Sequence, residues 1–256
     1  MPDVFPMLTA IPYLVGLALI AWFISLKTMN AAVVDAFWPL FLSTATLIYV
    51  LEAPQITPAA WLVLALVGLW ATRLFVHVTT RSWGETEDQR YAEIRARWGS
   101  KFALKSLLGI FGLQAALAWL ISSSLFVAIS PTPNLTPVHL VAASIWLFGL
   151  MFETVADIQL RRFKASNTPA AVLDTGLWRY CRHPNYFGEC CVWWSAYLLA
   201  LPSGGWWTIL SPLIMTYCLL HFTGIHRMET GISQRRPDYA RYIRRTSKFI
   251  PLPPRK

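Results

Sequence analysis

Seven apolar segments leave this chain few possible folds. They cover residues 7–26, 32–51, 60–79, 106–129, 137–156, 186–202 and 206–225. A helix that crosses a membrane needs about 20 predominantly apolar residues, and the segments meet or approach that length. Charged residues make up 14% of the chain, well below the roughly 25% of a soluble domain. The sequence therefore predicts an all-α, polytopic membrane protein with seven transmembrane helices.

The positions of the basic residues support a count of seven. Twenty-one of the 22 Lys and Arg residues follow the first, third, fifth and seventh segments, and the intervening connections contain none. Because cytoplasmic loops are enriched in Lys and Arg, we expect the N-terminus outside and the C-terminus in the cytoplasm. Removing one helix from the count would scatter the basic residues over both sides of the membrane.

Other global features narrow the class of function. The net charge of +9 is compatible with nucleic acid, but apolar segments separate the basic clusters, which favours lipid headgroups and an anionic ligand. We expect neither a disulfide nor a structural metal, because the cysteines lack the spacing of either. No repeat or linker is evident, so residues 1–256 are predicted to form a single membrane-embedded domain whose first helix is retained rather than cleaved.

The most informative stretch lies at residues 176–189, against the sixth apolar segment. It reads Gly-Leu-Trp-Arg-Tyr-Cys-Arg-His-Pro-Asn-Tyr-Phe-Gly-Glu. Polar and charged groups are costly next to hydrocarbon, so Arg182, His183 and Asn185 are functional candidates. Cations, an imidazole and an amide at a membrane edge suit a large anionic cofactor. A loop that only sets topology would need Lys and Arg alone.

A polar stripe runs along the predicted fifth helix. It consists of Glu153, Asp157, Arg161 and Lys164, which recur at i, i+4, i+8 and i+11. Such a stripe must face protein or water rather than lipid. Its carboxylates suit ribose hydroxyls or an adenine amine, and its cations suit phosphates. The chain has no glycine-rich phosphate loop after a strand, which excludes a Rossmann or P-loop site.

Two earlier segments carry isolated polar residues. Arg73 and His77 are four residues apart in the third segment and share a helical face. They form either an interior face aimed at a ligand or, for Arg73, a side chain that snorkels to the cytoplasm. Asp35 begins the second segment, where it either pairs with a basic residue such as Arg73 or serves the site.

Two segments outside the predicted spans have aromatic residues at helical spacing. An amphipathic helix is predicted from Glu87, with Tyr91 and Trp98 on one face, either as a surface helix or as a cap over the site. After the seventh segment, Tyr239 and Tyr242 share a face of a basic run. A solvated tail is the usual interpretation of such a run, but the aromatic residues favour a segment docked on the core.

The 176–189 stretch resembles the core of the steroid 5-alpha-reductase superfamily, and more narrowly its bacterial branch known as a domain of unknown function. The other hallmarks of that branch are Asp35-Ala-Phe-Trp38, Leu69-Trp70 with Arg73-Leu74, Glu87-Asp88-Gln-Arg90-Tyr91, Arg236-Pro-Asp-Tyr239 and Arg245-Thr246-Ser. The resemblance covers nearly the whole chain from about residue 30. It implies a seven-helix enzyme of the bacterial inner membrane that binds NADPH in a cavity facing the cytoplasm and reduces a carbon–carbon double bond by hydride transfer. The substrate implied is a conjugated enone in a steroid- or isoprenoid-like lipid.

The resemblance also implies the site. Asn185 and Glu189 match residues that hold the nicotinamide end of the cofactor, and Glu153 and Trp70 depart from the reductases, which have Asn and Tyr there. Asp157, Arg161 and Tyr180 also match family positions. Together with residues that the patterns above single out, the predicted cofactor residues are Asp157, Arg161, Lys164, Tyr180, Arg182, His183, Asn185, Glu189, Arg236 and Tyr239. Reduction also needs a proton donor that stabilises the developing enolate oxygen. The candidates are Tyr186, His77 and Tyr91, with Asp35 or Glu52 as an orienting carboxylate.

A second enzyme class is similar in the same core. Isoprenylcysteine carboxyl methyltransferases share Arg-His-Pro-x-Tyr-x-Gly but bind S-adenosylmethionine. Asn185, Glu189 and a single Glu229, where those enzymes have a Glu-Glu pair, favour reduction. A third possibility is a non-catalytic lipid-binding protein, which would leave the buried polar stripe without a purpose. The expected partners are a lipophilic small-molecule substrate and membrane lipids, not nucleic acid, and we expect a monomer.

Overall fold

A computed structural model describes residues 5–82, 84–130, 134–166, 171–222, 229 and 238–255. Over these residues the chain is almost entirely helical, without a strand, and one isolated bridge pairs Cys181 with Ser247. The all-α prediction is therefore confirmed. The chain divides into two compact units, Met1–Thr136 with Leu199–Ser211, and Pro137–Leu198 with Pro212–Lys256.

Three long helices and a series of shorter ones form the first unit. They are α1 (Phe5–Thr28), α2 (Val33–Leu51), α3 (Pro58–Ser82), α4 (Gln89–Trp98), α5 (Phe102–Ser106), α6 (Leu113–Ile121) and α7 (Ser123–Ile129). A π-helical stretch, Leu107–Gly112, joins α5 to α6. Helix α2 packs between α1 and α3, and Trp70, Phe41 and Phe111 are fully buried in the core of this unit.

The second unit contains the residues of the 176–189 stretch. Its helices are α8 (Pro137–Ser166), most of α9 (Pro184–Ala200) and of α10 (Leu210–Tyr217), and α11 (Tyr239–Arg245). A short 3-10 helix, Gly176–Arg179, precedes α9. It is fastened to α8, because Trp178 Nε1 donates to the carbonyl of Ala156 at 3.0 Å and the backbone N–H of Leu177 donates to Gln159 Oε1 at 3.0 Å.

Among the described residues, five helical runs are long and apolar enough to cross a membrane. They are Phe5–Thr28, Val33–Leu51, Pro58–Ser82, Gln89–Ile129 and Pro137–Ser166. Four of them contain a predicted segment in full, and Val33–Leu51 begins one residue after the start of the second, so the prediction of an integral membrane protein is confirmed. The sixth segment and the described part of the seventh, which ends at Phe222, are also helical but fall on shorter helices, of 17 residues in α9 and 8 in α10. The number seven therefore stays a prediction.

Helix α4 is the predicted amphipathic helix. It begins at Gln89, two residues after the predicted start, because Asp88 caps it: the Asp88 carboxylate accepts the backbone N–H of Arg90 at 2.9 Å. An aspartate at this position satisfies a donor that the first helical turn leaves unpaired. Tyr91 is the buried residue of the helix, as its amphipathic pattern predicts.

Two glycines set the contact between α8 and α9. A Cβ atom added to Gly149 would lie 2.6 Å from the carbonyl oxygen of Gly188, and one added to Gly188 would lie 2.6 Å from that of Gly149. The two backbones therefore touch, as small residues allow at helix crossings in membranes. The close approach holds the polar face of α8, including Glu153 and Asp157, against the first turns of α9.

Candidate active site

One polar pair joins the stripe on α8 to the motif on α9. Asn185 Nδ2 donates to Asp157 Oδ1 at 3.2 Å. Asp157 is buried, and Asn185 is half-buried in the first turn of α9. Glu189 lies one turn further along α9, is buried, and accepts the indole N–H of Trp193 at 2.9 Å. Three residues from the implied cofactor set thus lie on facing helices of one unit.

The stripe on α8 changes character toward the end of the helix. Glu153 and Asp157 are buried, whereas Arg161 and Lys164 are exposed in the last turns. The helix therefore presents carboxylates inside the protein and cations at its end. That is the order in which a nucleotide would need acceptors for its hydroxyl groups and cations for its phosphates.

Arg182 and His183 converge on Glu229. Arg182 Nε donates to Glu229 Oε1 at 2.8 Å and Nη2 donates to Oε2 at 3.2 Å, while His183 Nε2 lies 2.9 Å from Oε1. Burial alone would raise the pKa of Glu229, but the hydrogen bonds from His183 and Arg182 outweigh it and hold the pKa below its usual range. Glu229 is therefore a half-buried carboxylate held by two buried donors, Arg182 and His183.

The remaining N–H groups of Arg182 fasten the C-terminal segment. Nη1 donates to the carbonyls of Ile243 at 2.9 Å and Thr246 at 3.0 Å. Its backbone N–H also donates to the carbonyl of Ser247 at 2.9 Å. Four of its five guanidinium N–H groups thus bind protein, so Arg182 is a positioning residue. The prediction of a docked C-terminal segment is confirmed.

The other predicted site residues occupy varied places in the second unit. Tyr186, a proton-donor candidate, stacks on the ring of His183 with 5.8 Å between ring centroids. Tyr239 is buried against Tyr242, whose hydroxyl donates to the carbonyl of Trp178. Tyr180 has 45% of its surface exposed. Arg236 lies outside the residues that the structure describes.

Asp35 and Tyr91 meet in the first unit. The Tyr91 hydroxyl donates to Asp35 Oδ1 at 2.7 Å, and Arg90 Nη2 lies 3.2 Å from Asp35 Oδ2. The basic partner of Asp35 is thus Arg90 from α4. These contacts fasten α4 to the start of α2. His77, the remaining proton-donor candidate, is half-buried in α3.

A second ion pair holds the start of α4. Arg95 Nε and Nη2 both donate to the Glu87 carboxylate at 2.8 Å, and the backbone N–H of Ala31 donates to Glu87 Oε1 at 2.7 Å. Burial would raise the pKa of Glu87, but the hydrogen bonds from Arg95 and Ala31 lower it further than burial raises it. The polar residues of the predicted cap are therefore accounted for by its attachment to the first unit.

Sequence reasoning missed the role of Glu229. Glu229 and Asp238 are the two carboxylates among nine Lys and Arg residues after the seventh segment. Such a lone acid in a basic run needs a cationic partner, and that signal was available. Trp193, which donates to Glu189, offered no such signal, because a Trp in an apolar helix is ordinarily a core residue.

Comparison with known proteins identifies the family. A family model described as protein of unknown function, DUF1295, matches residues 21–246. The chain belongs to this family. The family lies within the steroid 5-alpha-reductase-like superfamily, which confirms the resemblance carried by residues 176–189.

Two individual proteins are similar to this chain. An uncharacterized protein of Schizosaccharomyces pombe is 25% identical over 279 residues, covering 94% of this chain and 80% of that protein. The 3-oxo-5-alpha-steroid 4-dehydrogenase 1 of Bos taurus is 30% identical over 115 residues, covering 44% of this chain and 43% of the bovine protein. The match to the bovine enzyme therefore spans less than half of its length. No solved structure matches the chain.

Proposed function

We propose that this member of the family is an NADPH-dependent membrane reductase of a conjugated carbon–carbon double bond in a steroid- or isoprenoid-like lipid. The observation that carries the proposal is the Asn185–Asp157 pair where α8 and α9 meet. Membership of the superfamily and the similarity to the bovine dehydrogenase support the reaction class.

The side chains of the second unit fit the chemistry of the cofactor. The buried Asp157 carboxylate is an acceptor for ribose hydroxyls, and the Asn185 amide offers both a donor and an acceptor to a carboxamide. Arg161 and Lys164, exposed at the end of α8, supply cations for phosphates. NADPH, when bound, supplies the hydride.

Among the proton-donor candidates we favour Tyr186. The single hydroxyl proton of Tyr91 is donated to Asp35, so this pair is better suited to holding α4. Tyr186 follows Asn185 directly and is half-buried, and its ring is held by stacking on His183. A phenol in such a position can donate a hydrogen bond to a developing enolate oxygen.

The topology completes the proposal. α9 and the helical run through α10 add a sixth and a seventh span, with the N-terminus outside and the C-terminus in the cytoplasm of a bacterial inner membrane. Reporter fusions after Gly204 and after Lys256 test this. We expect a reporter fused after Gly204 to lie outside the inner membrane and a reporter fused after Lys256 to lie in the cytoplasm. Activity of both on the same side would contradict seven spans.

Cofactor binding is the decisive test. Thermal unfolding of detergent-purified protein is compared with NADPH, NADH and S-adenosylmethionine. A ligand that binds only the folded state stabilises it by about 2.7 kcal/mol at a hundredfold excess over Kd. We expect NADPH to stabilise the wild type in this way. The stabilisation should be lost in Asp157→Asn and Asn185→Ala and be smaller in Arg161→Gln. Arg162→Gln is the matched control, exposed on the same helix but off the stripe.

The other ligands decide between classes. Stabilisation by S-adenosylmethionine instead of NADPH would refute the reductase and favour a methyltransferase. No response to any of the three would favour a lipid-binding protein. If NADPH binds, turnover of an enone panel tests the proton donor. Removal of a general acid typically lowers the rate by about 10²- to 10⁴-fold, so we expect this loss in Tyr186→Phe with NADPH binding retained.

A further inference from the structure

The second unit has a cavity whose lining contains no residue of the proposed cofactor site. It has a volume of about 580 Å³ and a predominantly polar lining. The residues that determine its chemistry are Asp174, Arg179, Asp238, Arg241, Arg245 and Thr246. We propose that this cavity binds the phosphate group of an organic phosphate, either a lipid headgroup or a soluble phosphate ester.

The walls of the cavity are fastened to each other. One wall is the 3-10 helix Gly176–Arg179 with the residues before it, and the other is α11 with the chain that follows. The Tyr242 hydroxyl donates to the carbonyl of Trp178, and the Thr246 hydroxyl donates to that of Arg179 at 3.4 Å. The backbone N–H of Arg255 donates to the carbonyl of Arg245 at 2.8 Å. The cavity is therefore a built feature of this unit.

Three arginines supply its positive charge. Arg241 and Arg245 are four residues apart on α11 and share a face, and Arg179 comes from the opposite wall. All three are exposed. Within the described part of the chain, none of them forms an ion pair with Asp174, Asp238 or another carboxylate. Their exposed guanidinium groups line the cavity and offer it hydrogen-bond donors.

Phosphate is the anion that this lining suits best. A guanidinium presents a planar fork of donors that matches two phosphate oxygens, and three of them surround a space within the range of small-ligand pockets. Asp174 and Asp238 would repel a bare polyanion but can accept hydrogen bonds from hydroxyl or amine groups beside the phosphate. The chemistry thus points to an organic phosphate with donor groups, such as a glycerol phosphate.

The contrast with Arg182 supports this assignment. Arg182 is buried and donates to Glu229 and two carbonyls, so its charge is used within the protein. Arg241 and Arg245 lie on the helix that Arg182 fastens, but their charge is directed to the cavity. Arg182 therefore holds α11 in place, and Arg241 and Arg245 give the cavity its affinity for anions.

Titration with glycerol 3-phosphate tests the proposal on the full chain in a zwitterionic detergent. Parallel native mass spectrometry measures retention of phosphatidylglycerol from nanodiscs. The variants are Arg241→Gln and Arg245→Gln, and the matched control is Arg244→Gln, exposed on the same helix outside the cavity. We expect a loss in affinity of about tenfold for each cavity guanidinium removed, and no change for the control.

The two arms identify the source of the phosphate. Variant-dependent binding of glycerol 3-phosphate supports a soluble ester, whereas variant-dependent retention of phosphatidylglycerol alone supports a lipid headgroup. Equal effects of Arg244→Gln and Arg245→Gln in both arms, or no binding by the wild type in either, would overturn the proposal. Asn185→Ala separates it from the cofactor site, because this variant should lose NADPH and keep the phosphate ligand.

Discussion

Each of the two units fastens a peripheral helix with an arginine–carboxylate pair, but the pairs differ in burial. In the second unit the Arg182 and Glu229 side chains are 8% and 14% exposed. In the first unit the Arg90 and Asp35 side chains are 32% and 23% exposed. Water can therefore solvate Arg90 and Asp35 when their pair breaks, but it reaches little of Arg182 and Glu229. A buried charge that loses its partner is far more costly than an exposed one.

The surroundings of the two pairs widen this difference. Asp35 also accepts the hydroxyl of Tyr91, and Arg90 also binds Asp88, so each partner keeps a contact when the other is removed. Arg182 holds one carboxylate and two carbonyls with a single guanidinium. Its loss would release the C-terminal segment at three points together. We therefore expect the first unit to tolerate changes that the second does not.

Arg182→Met should have the largest effect on stability. The substitution removes the two hydrogen bonds from Arg182 to Glu229, which keeps its contact with His183. It also removes the hydrogen bonds from Arg182 to the carbonyls of Ile243 and Thr246. Breaking a buried pair in this way costs about 3–5 kcal/mol. Denaturant unfolding in detergent measures the loss. Arg244→Met, exposed on the same segment, is the control and should stay within about 0.5 kcal/mol of the wild type.

A double variant sharpens this prediction. Arg182→Met with Glu229→Met removes both charges, and well-packed apolar replacements of buried pairs are often neutral. The double variant should therefore be more stable than Arg182→Met alone. If the single variant costs less than about 1 kcal/mol, the pair behaves as an exposed one, and the contrast between the units fails.

Gly188→Ala tests the backbone contact in the same unit. Its Cβ would lie 2.6 Å from the carbonyl oxygen of Gly149 and 2.7 Å from the backbone nitrogen of Glu153. Backbone atoms cannot rotate away from the new Cβ as a side chain can. We therefore expect the free energy of unfolding to fall by about 1–3 kcal/mol. Gly68→Ala in α3 meets nothing within 4 Å and should gain up to about 1 kcal/mol from helix propensity. Equal outcomes for both would contradict a close α8–α9 contact.

Acidification should weaken the second unit through Glu229. Its pKa is lower in the folded chain than the ordinary value of 4.5, so its contribution is complete above that value and is lost as the pH falls through the folded pKa. The stability difference between the wild type and Glu229→Gln should therefore shrink in acid. The melting temperature measured across the acidic range checks this, with the exposed Glu85→Gln as control. If the stability difference between the wild type and Glu229→Gln grew in acid, the lowered pKa of Glu229 would be contradicted.

The parts of this structure that could be predicted from sequence are local ones. Segment length predicts the five long spans, and the helical spacing of Tyr91 and Trp98 predicts α4. The charge order on α8 follows from spacing along one helix. Spacing alone could not bring Asp157, Asn185 and Glu189 together, because it does not show that α8 meets α9 at Gly149 and Gly188. Only the family resemblance grouped these three residues.

Contacts between distant residues were beyond that reasoning. The sequence leaves Asp35 either paired with a basic residue such as Arg73 or serving the site, and its basic partner in the structure is Arg90, which is 55 residues away. Sequence offers several arginines of equal chemistry, and only the packing of α4 against α2 selects one. Arg182 is a similar case: its charge suggested a cofactor contact, but the fold of the C-terminal segment gives it partners within the protein.

Tyr91→Phe should have the smallest effect and is the sharpest test of the first unit. It removes one hydrogen bond to Asp35, which keeps Arg90 as a partner, so we expect a loss of about 1 kcal/mol. The exposed Tyr13→Phe is the control. Enone turnover should change little, because the Tyr91 hydroxyl is donated to Asp35. A fall in turnover comparable to that of Tyr186→Phe, at this modest cost in stability, would move the proton donor from Tyr186 to the Asp35–Tyr91 pair.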